Sequence, residues 1–122
     1  MNLYIHVPFC AQRCAYCDFY TQTNLGLRVR YLEALHSELR ERASELPQGS
    51  SLTNIYFGGG TPSLLSIEEL GGICSVIEQC YAIDAAAEIT LEANPDDITE
   101  AYAEGLRALP INRVSMGVQS FQ

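Results

Sequence analysis

The sequence predicts an α/β fold in which parallel strands form a sheet or barrel. Three observations carry that prediction. A strand-type apolar run is followed by a helix-type run three times over, and a fourth strand ends the series. Parallel neighbours need a crossover of a dozen residues or more, and the segments between these strands are long enough to supply one. The 122 residues, 48% of them apolar, suffice for a single core and are too apolar for disorder.

In chain order, residues 3–7 form a short apolar strand that ends at Pro8, which disfavours its continuation. A cysteine-rich loop runs to about residue 24. Over about 27–46, Val29, Leu32, Leu35, Leu39, Ala43 and Leu46 recur at spacings of three and four, as on one helix face. Residues 47–51, Pro-Gln-Gly-Ser-Ser, break that helix. Residues 54–57 are a second strand leading into Gly-Gly-Gly-Thr-Pro-Ser. Ser66 with Glu69 three residues later makes a capping box, which opens a second helix over 67–81. Residues 88–93 alternate as a strand does and stop at Asn94-Pro95. Thr99 is the expected N-cap of a third helix that ends before Pro110. Residues 114–118 are the fourth strand. No helix follows it, and a parallel strand with a bare face exposes apolar surface, so further βα units are expected beyond residue 122.

The formal net charge is -8, and every basic residue is Arg, with no basic run. Such a chain lacks the electrostatic footprint of nucleic-acid binding and offers no polybasic patch to anionic lipid. No stretch approaches the roughly 18 apolar residues of a membrane span. The opening MNLYIHVPFC has neither the charged nor the apolar region of a signal peptide. A cytoplasmic protein with reduced thiols is expected, so its five cysteines point to metal or catalytic chemistry before disulfides.

Four motifs bear on that chemistry. Cys10, Cys14 and Cys17, spaced CxxxCxxC in one loop, can wrap a single inorganic cluster and leave one iron of four without a protein ligand. Cys74 and Cys80, six apart on a helix, point in different directions. A zinc site completed by His6 and plain burial of the three thiols are the alternatives; His6 is expected as a satisfied, part-buried residue sharing a strand face with Tyr4. The second motif, Gly58, Gly59, Gly60 and Thr61, lets a ligand approach backbone groups, or else is a tight turn. It matches neither a dinucleotide fingerprint nor a P-loop. The third is Glu92 before Ala93-Asn94-Pro95, facing solvent or the interior. The fourth is Gln119 in Gly-Val-Gln-Ser-Phe. Each motif lies at the C-terminal end of a predicted strand, and parallel α/β folds bind ligands on that face.

Tyr4-Ile5-His6-Val7-Pro8-Phe9-Cys10 with CxxxCxxC, then GGGTPS, EANP and GVQSF in order, resembles the anaerobic (oxygen-independent) coproporphyrinogen III oxidase family of radical S-adenosylmethionine (SAM) proteins, along the whole chain. The resemblance implies a partial (β/α)6 barrel, of which residues 1–122 are the N-terminal portion of one core domain, lacking later barrel strands and a C-terminal domain. It implies that Cys10, Cys14 and Cys17 ligate a 4Fe–4S cluster whose open iron takes the amino and carboxylate groups of SAM. It further implies that Gly58, Gly59, Gly60 and Thr61 hold the methionine part and that Tyr4, Glu92 and Gln119, which match family positions, contact SAM. In the family it resembles, the reduced cluster donates an electron that cleaves SAM to methionine and a 5′-deoxyadenosyl radical, which implies an electron donor such as a flavodoxin-type reductant. Within the family, the oxidase proper resembles CxxxCxxCxC and has a longer N-terminal segment. Here Phe19 stands at the last Cys position and the first strand starts at about residue 3, as in the heme-chaperone branch, whose members bind heme and pass it to membrane respiratory enzymes. Oxidative decarboxylation of a porphyrinogen's propionates is the alternative. A tRNA-modifying enzyme is a more distant one that the acidic balance disfavours.

Overall fold

A computed structural model describes residues 1–8 and 24–116; Cys10, Cys14, Cys17, Phe19 and Gln119 lie outside the described residues. The elements are β1 (Asn2–Val7), α1 (Asn24–Ala43), β2 (Leu52–Gly59), a 3-10 turn (Pro62–Leu64), α2 (Ile67–Cys80), β3 (Ile83–Ala93), a second 3-10 turn (Pro95–Asp97), α3 (Glu100–Arg107) and β4 (Arg113–Met116).

The strands lie in the order β1-β2-β3-β4, and every neighbouring pair is parallel. With right-handed crossovers, such an order adds each strand to the same edge and sends each helix to the same face. The core accordingly lies on one side. Ile5, Val7, Ile55, Phe57, Ile89 and Leu91 are buried there with Leu39 of α1, Leu70, Ile73 and Ile77 of α2 and Leu106 of α3. The alternate residues of each strand make up the other face: Tyr4 and His6, Asn54 and Tyr56, Glu88, Thr90 and Glu92, and Arg113 and Ser115. In register, Tyr4 pairs with Tyr56, Tyr56 with Thr90, and Thr90 with Arg113. That polar face carries the candidate site.

α1 and β3 begin several residues earlier than their apolar pattern suggests. α1 spans Asn24–Ala43, because after Ala43 the backbone tightens: Leu46 N–H donates to Ala43 O at 3.3 Å and Ser44 Oγ to Glu41 O at 2.7 Å. Leu46 still packs on the core from this turn, so its spacing mimicked one more helical step. β3 starts at Ile83, which pairs with Leu52 before a register shift. The intervening Ala85–Ala87 stretch is a weak strand former and hides the strand's beginning in the sequence. The capping box is present as expected, with Glu69 N–H donating to Ser66 Oγ at 3.0 Å and Ser66 N–H to Glu69 Oε1 at 2.8 Å. Thr99 caps α3 by accepting from Tyr102 N–H at 3.1 Å.

Glu69 also joins two helices. Arg28 of α1 reaches it with Nε 3.0 Å from Oε2 and Nη2 2.8 Å from Oε1, and donates to Leu64 O as well. Burial by itself raises a carboxyl pKa, but the Arg28 and Ser66 hydrogen bonds outweigh it and hold Glu69 below the usual carboxylate range. On β4 the helix-side residues Val114 and Met116 are 38% and 50% exposed, whereas their β3 partners Leu91 and Ala93 are buried.

Candidate functional site

The site is assembled at the C-terminal ends of β1, β2 and β3. β2 ends on Gly59, whose φ of +111° suits glycine alone. A Cβ there would stand 2.6 Å from His6 Nδ1 and 2.9 Å from Val7 O. The next residue, Gly60, donates its N–H to Val7 O at 2.8 Å, which holds the end of β1 against the glycine turn. The chain enters the segment bearing Cys10, Cys14 and Cys17 from Pro8, one residue past that contact.

Gly58 supports a second close approach. A Cβ on it would lie 2.8 Å from a ring carbon of Tyr56 and 3.0 Å from one of Tyr4. The two rings stack across β1 and β2 with centroids 6.0 Å apart and an interplanar angle of 15°. Tyr56 donates its hydroxyl to Glu92 Oε2 at 3.0 Å, which carries the contact to β3. Burial pushes the Tyr56 pKa above its ordinary value, and the hydrogen bond and charge of Glu92 add to the shift, so Tyr56 stays a donor. The Tyr4 hydroxyl lies 3.4 Å from His6 Nδ1.

Below the glycines, Thr61, Pro62 and Ser63 are buried. Ser63 Oγ accepts from Asn94 N–H at 3.1 Å and donates to Asp97 Oδ2 at 2.9 Å. The Gly-Gly-Gly-Thr-Pro-Ser and Glu-Ala-Asn-Pro segments are thereby latched to one another, so the backbone cradle and the Glu92 carboxylate hold a common frame.

Of the residues singled out from the sequence, Tyr4, Gly58, Gly59, Gly60 and Glu92 come together here, and Thr61 packs beneath them. His6 departs from expectation: it is exposed on the polar face, because Ile5 and Val7 take the core positions and alternation sends Tyr4 and His6 the other way. Cys74 is buried in the core, on the other side of the sheet, and burial pushes its thiol up to about 11, the state of an inert structural cysteine. Cys80 Sγ accepts from Arg40 Nη1 at 3.8 Å. Among the described residues no group of three His, Cys, Asp or Glu side chains is placed to hold a metal. Sequence reading missed Tyr56 and the Ser63–Asp97 pair. Tyr56 lies two residues before Gly58, hence on the same strand face, and that parity was the available signal; nothing marked Asp97.

The donor set fits SAM in kind: a glycine turn packed closely by Tyr4, Tyr56 and His6 stands beside a half-buried carboxylate able to accept from amino or hydroxyl donors. The fold is α/β, with a parallel sheet whose strand ends gather polar side chains and a glycine turn on one face. The family model described as the Radical SAM superfamily matches residues 4–122. The chain belongs to the radical SAM superfamily, whose general cofactors are a 4Fe–4S cluster and SAM. It is 43% identical to the heme chaperone HemW of Synechocystis sp. over 98% of this chain and 30% of the relative. It is 35% identical to the oxygen-independent coproporphyrinogen III oxidase of Bradyrhizobium diazoefficiens, over 98% of this chain and 27% of the relative. Among solved structures it is similar to the Escherichia coli coproporphyrinogen III oxidase HemN, a radical SAM enzyme, with a TM-score of 0.77 and 31% identity over 99% of this chain and 28% of that one. The chain thus spans about 30% of the length of the curated relatives it matches. No described helix is long and apolar enough to cross a membrane.

Proposed function

We propose that this chain is the cofactor-binding N-terminal portion of a heme-trafficking radical SAM protein that works in the cytoplasm. The observation that carries the cofactor half of this reading is the convergence of Tyr4, Gly58, Gly59 and Glu92 beside the point where the cysteine segment leaves β1. Cys10, Cys14 and Cys17 would hold the 4Fe–4S cluster. Gly58, Gly59, Gly60 and Thr61 would hold the methionine part of SAM, and Tyr4, Glu92 and Gln119 would make further contacts to it. When bound, the reduced cluster supplies the electron for reductive cleavage of SAM, delivered by a flavodoxin-type donor. The chain's own part is to present backbone groups at the glycine turn and to fix a carboxylate beside them.

The heme half rests on similarity to the Synechocystis heme chaperone and on Phe19, which stands where the oxidase has a further cysteine. A second reading, oxygen-independent decarboxylation of coproporphyrinogen III, is favoured by the likeness to the Escherichia coli oxidase. Anaerobic assay of the full-length protein separates them. The chaperone reading expects stoichiometric heme binding and no protoporphyrinogen IX; product formed only with SAM and reductant would establish the oxidase. After reconstitution with iron and sulfide, Cys14→Ala should lose the cluster while Cys74→Ala keeps it; iron content unchanged by Cys14→Ala would refute the ligand set.

A further inference from the structure

Three positions proposed above to meet SAM lie on three different strands: Tyr4 on β1, Gly58 on β2 and Glu92 on β3. One side chain touches all of them. The Tyr56 ring stacks on Tyr4, its Cε1 edge occupies the space a Cβ on Gly58 would need, and its hydroxyl donates to Glu92 Oε2. We propose that Tyr56 is a positioning residue of the SAM site, whose hydroxyl sets the rotation of the Glu92 carboxylate so that Oε1 meets a hydrogen-bond donor of bound SAM. The proposal rests on the reading of Tyr4, Gly58 and Glu92 as SAM contacts.

Several physical points support it. The terminal torsion of a glutamate is broad, so a carboxylate with no fixed partner samples many orientations. A hydrogen bond to a charged acceptor in a half-buried setting is strong enough to select among them. Among the described residues Tyr56 is the only side chain bonded to Glu92, and Oε1 is left open. Because burial and the neighbouring carboxylate raise the hydroxyl's pKa, the donor persists through the neutral range. Phenylalanine at position 56 would keep the stack and the cover over Gly58 and remove the donation to Glu92 together with the hydroxyl's hydrogen bond to Ser115 on β4.

The test uses the full-length protein with its cluster reconstituted, and SAM affinity measured by anaerobic equilibrium dialysis for wild type, Tyr56→Phe, Glu92→Gln and the double variant. Loss of one charge-assisted hydrogen bond predicts SAM binding about tenfold weaker in Tyr56→Phe. Iron content and the thermal midpoint without SAM should equal those of wild type. Because the hydroxyl acts through Glu92, the double variant should bind no more weakly than Glu92→Gln alone. Binding by Tyr56→Phe within twofold of wild type overturns the proposal and leaves the SAM reading intact. So does a loss that adds fully to that of Glu92→Gln, or a fall in iron content or midpoint that tracks the lost affinity, since either assigns Tyr56 to packing. Failure of the wild type to bind SAM overturns the underlying reading and the proposal with it.

Discussion

Gly59 and Gly26 show how differently one residue type is constrained in this chain. Gly59 has a φ of +111° and no room for a Cβ, whereas Gly26 lies in α1 with nothing within 4 Å of the position a Cβ would take. Alanine at 59 is strained by about 1–3 kcal/mol, and it presses on Val7 O, which is backbone and cannot yield as a side chain can. Alanine at 26 removes unfolded-chain entropy and should stabilise by about 0.5–1 kcal/mol. Urea unfolding should show a lower midpoint for Gly59→Ala and a higher one for Gly26→Ala; the same sign for both would contradict this account. The glycine triplet was legible in the sequence as a place where backbone is open. Which glycine carries the positive φ was not, because that follows from the pairing of Gly60 with Val7, a contact between distant segments.

At the scale of elements, the first turn of α2 is the most legible feature and one with a pH dependence. Ser66 and Glu69 announce the capping box by spacing alone, but Arg28, 41 residues from Glu69, was not foreseeable because helix packing brings it there. Glu69 titrates below its unfolded value, so its contribution is present above the ordinary value of 4.5 and is lost as pH falls through the depressed folded value. Glu69→Gln should therefore flatten the acid limb of a stability–pH profile below about pH 4.5 and cost about 1–2 kcal/mol at neutral pH. Chemical denaturation at pH 3 and pH 7 measures both; an equal loss at the two values would show that the charge contributes nothing. α1, in contrast, was displaced by three residues because apolar periodicity cannot tell a last helical turn from a tight turn that still faces the core.

For the whole molecule, repetition of βα units was enough to read a parallel sheet, and the order β1-β2-β3-β4 agrees with it. What could not be read was the composition of the polar face, which requires the register of each strand against the next. At alkaline pH two tyrosines that bridge separate parts of the molecule become relevant to its stability. Tyr31 on α1 donates to His6 O at 2.6 Å and Tyr102 on α3 to Leu65 O at 2.8 Å, and burial pushes both hydroxyls up to about 12. A raised folded value means stability is fully present below the unfolded value of 10 and is lost as pH rises toward 12. Thermal midpoints should fall across that window, and the double variant Tyr31→Phe/Tyr102→Phe should fall less steeply there; an unchanged slope would rule these groups out.

The bonds from Ser63 to Asn94 and Asp97 have a consequence for how the sheet breathes. Two loops joined through one hydroxyl are expected to open as a single cooperative unit. In hydrogen–deuterium exchange the amides of Gly60 and Asn94 should share one protection factor and one denaturant dependence. Ser63→Ala should split them, freeing Asn94 to exchange by local fluctuation while Gly60 remains protected by Val7 O.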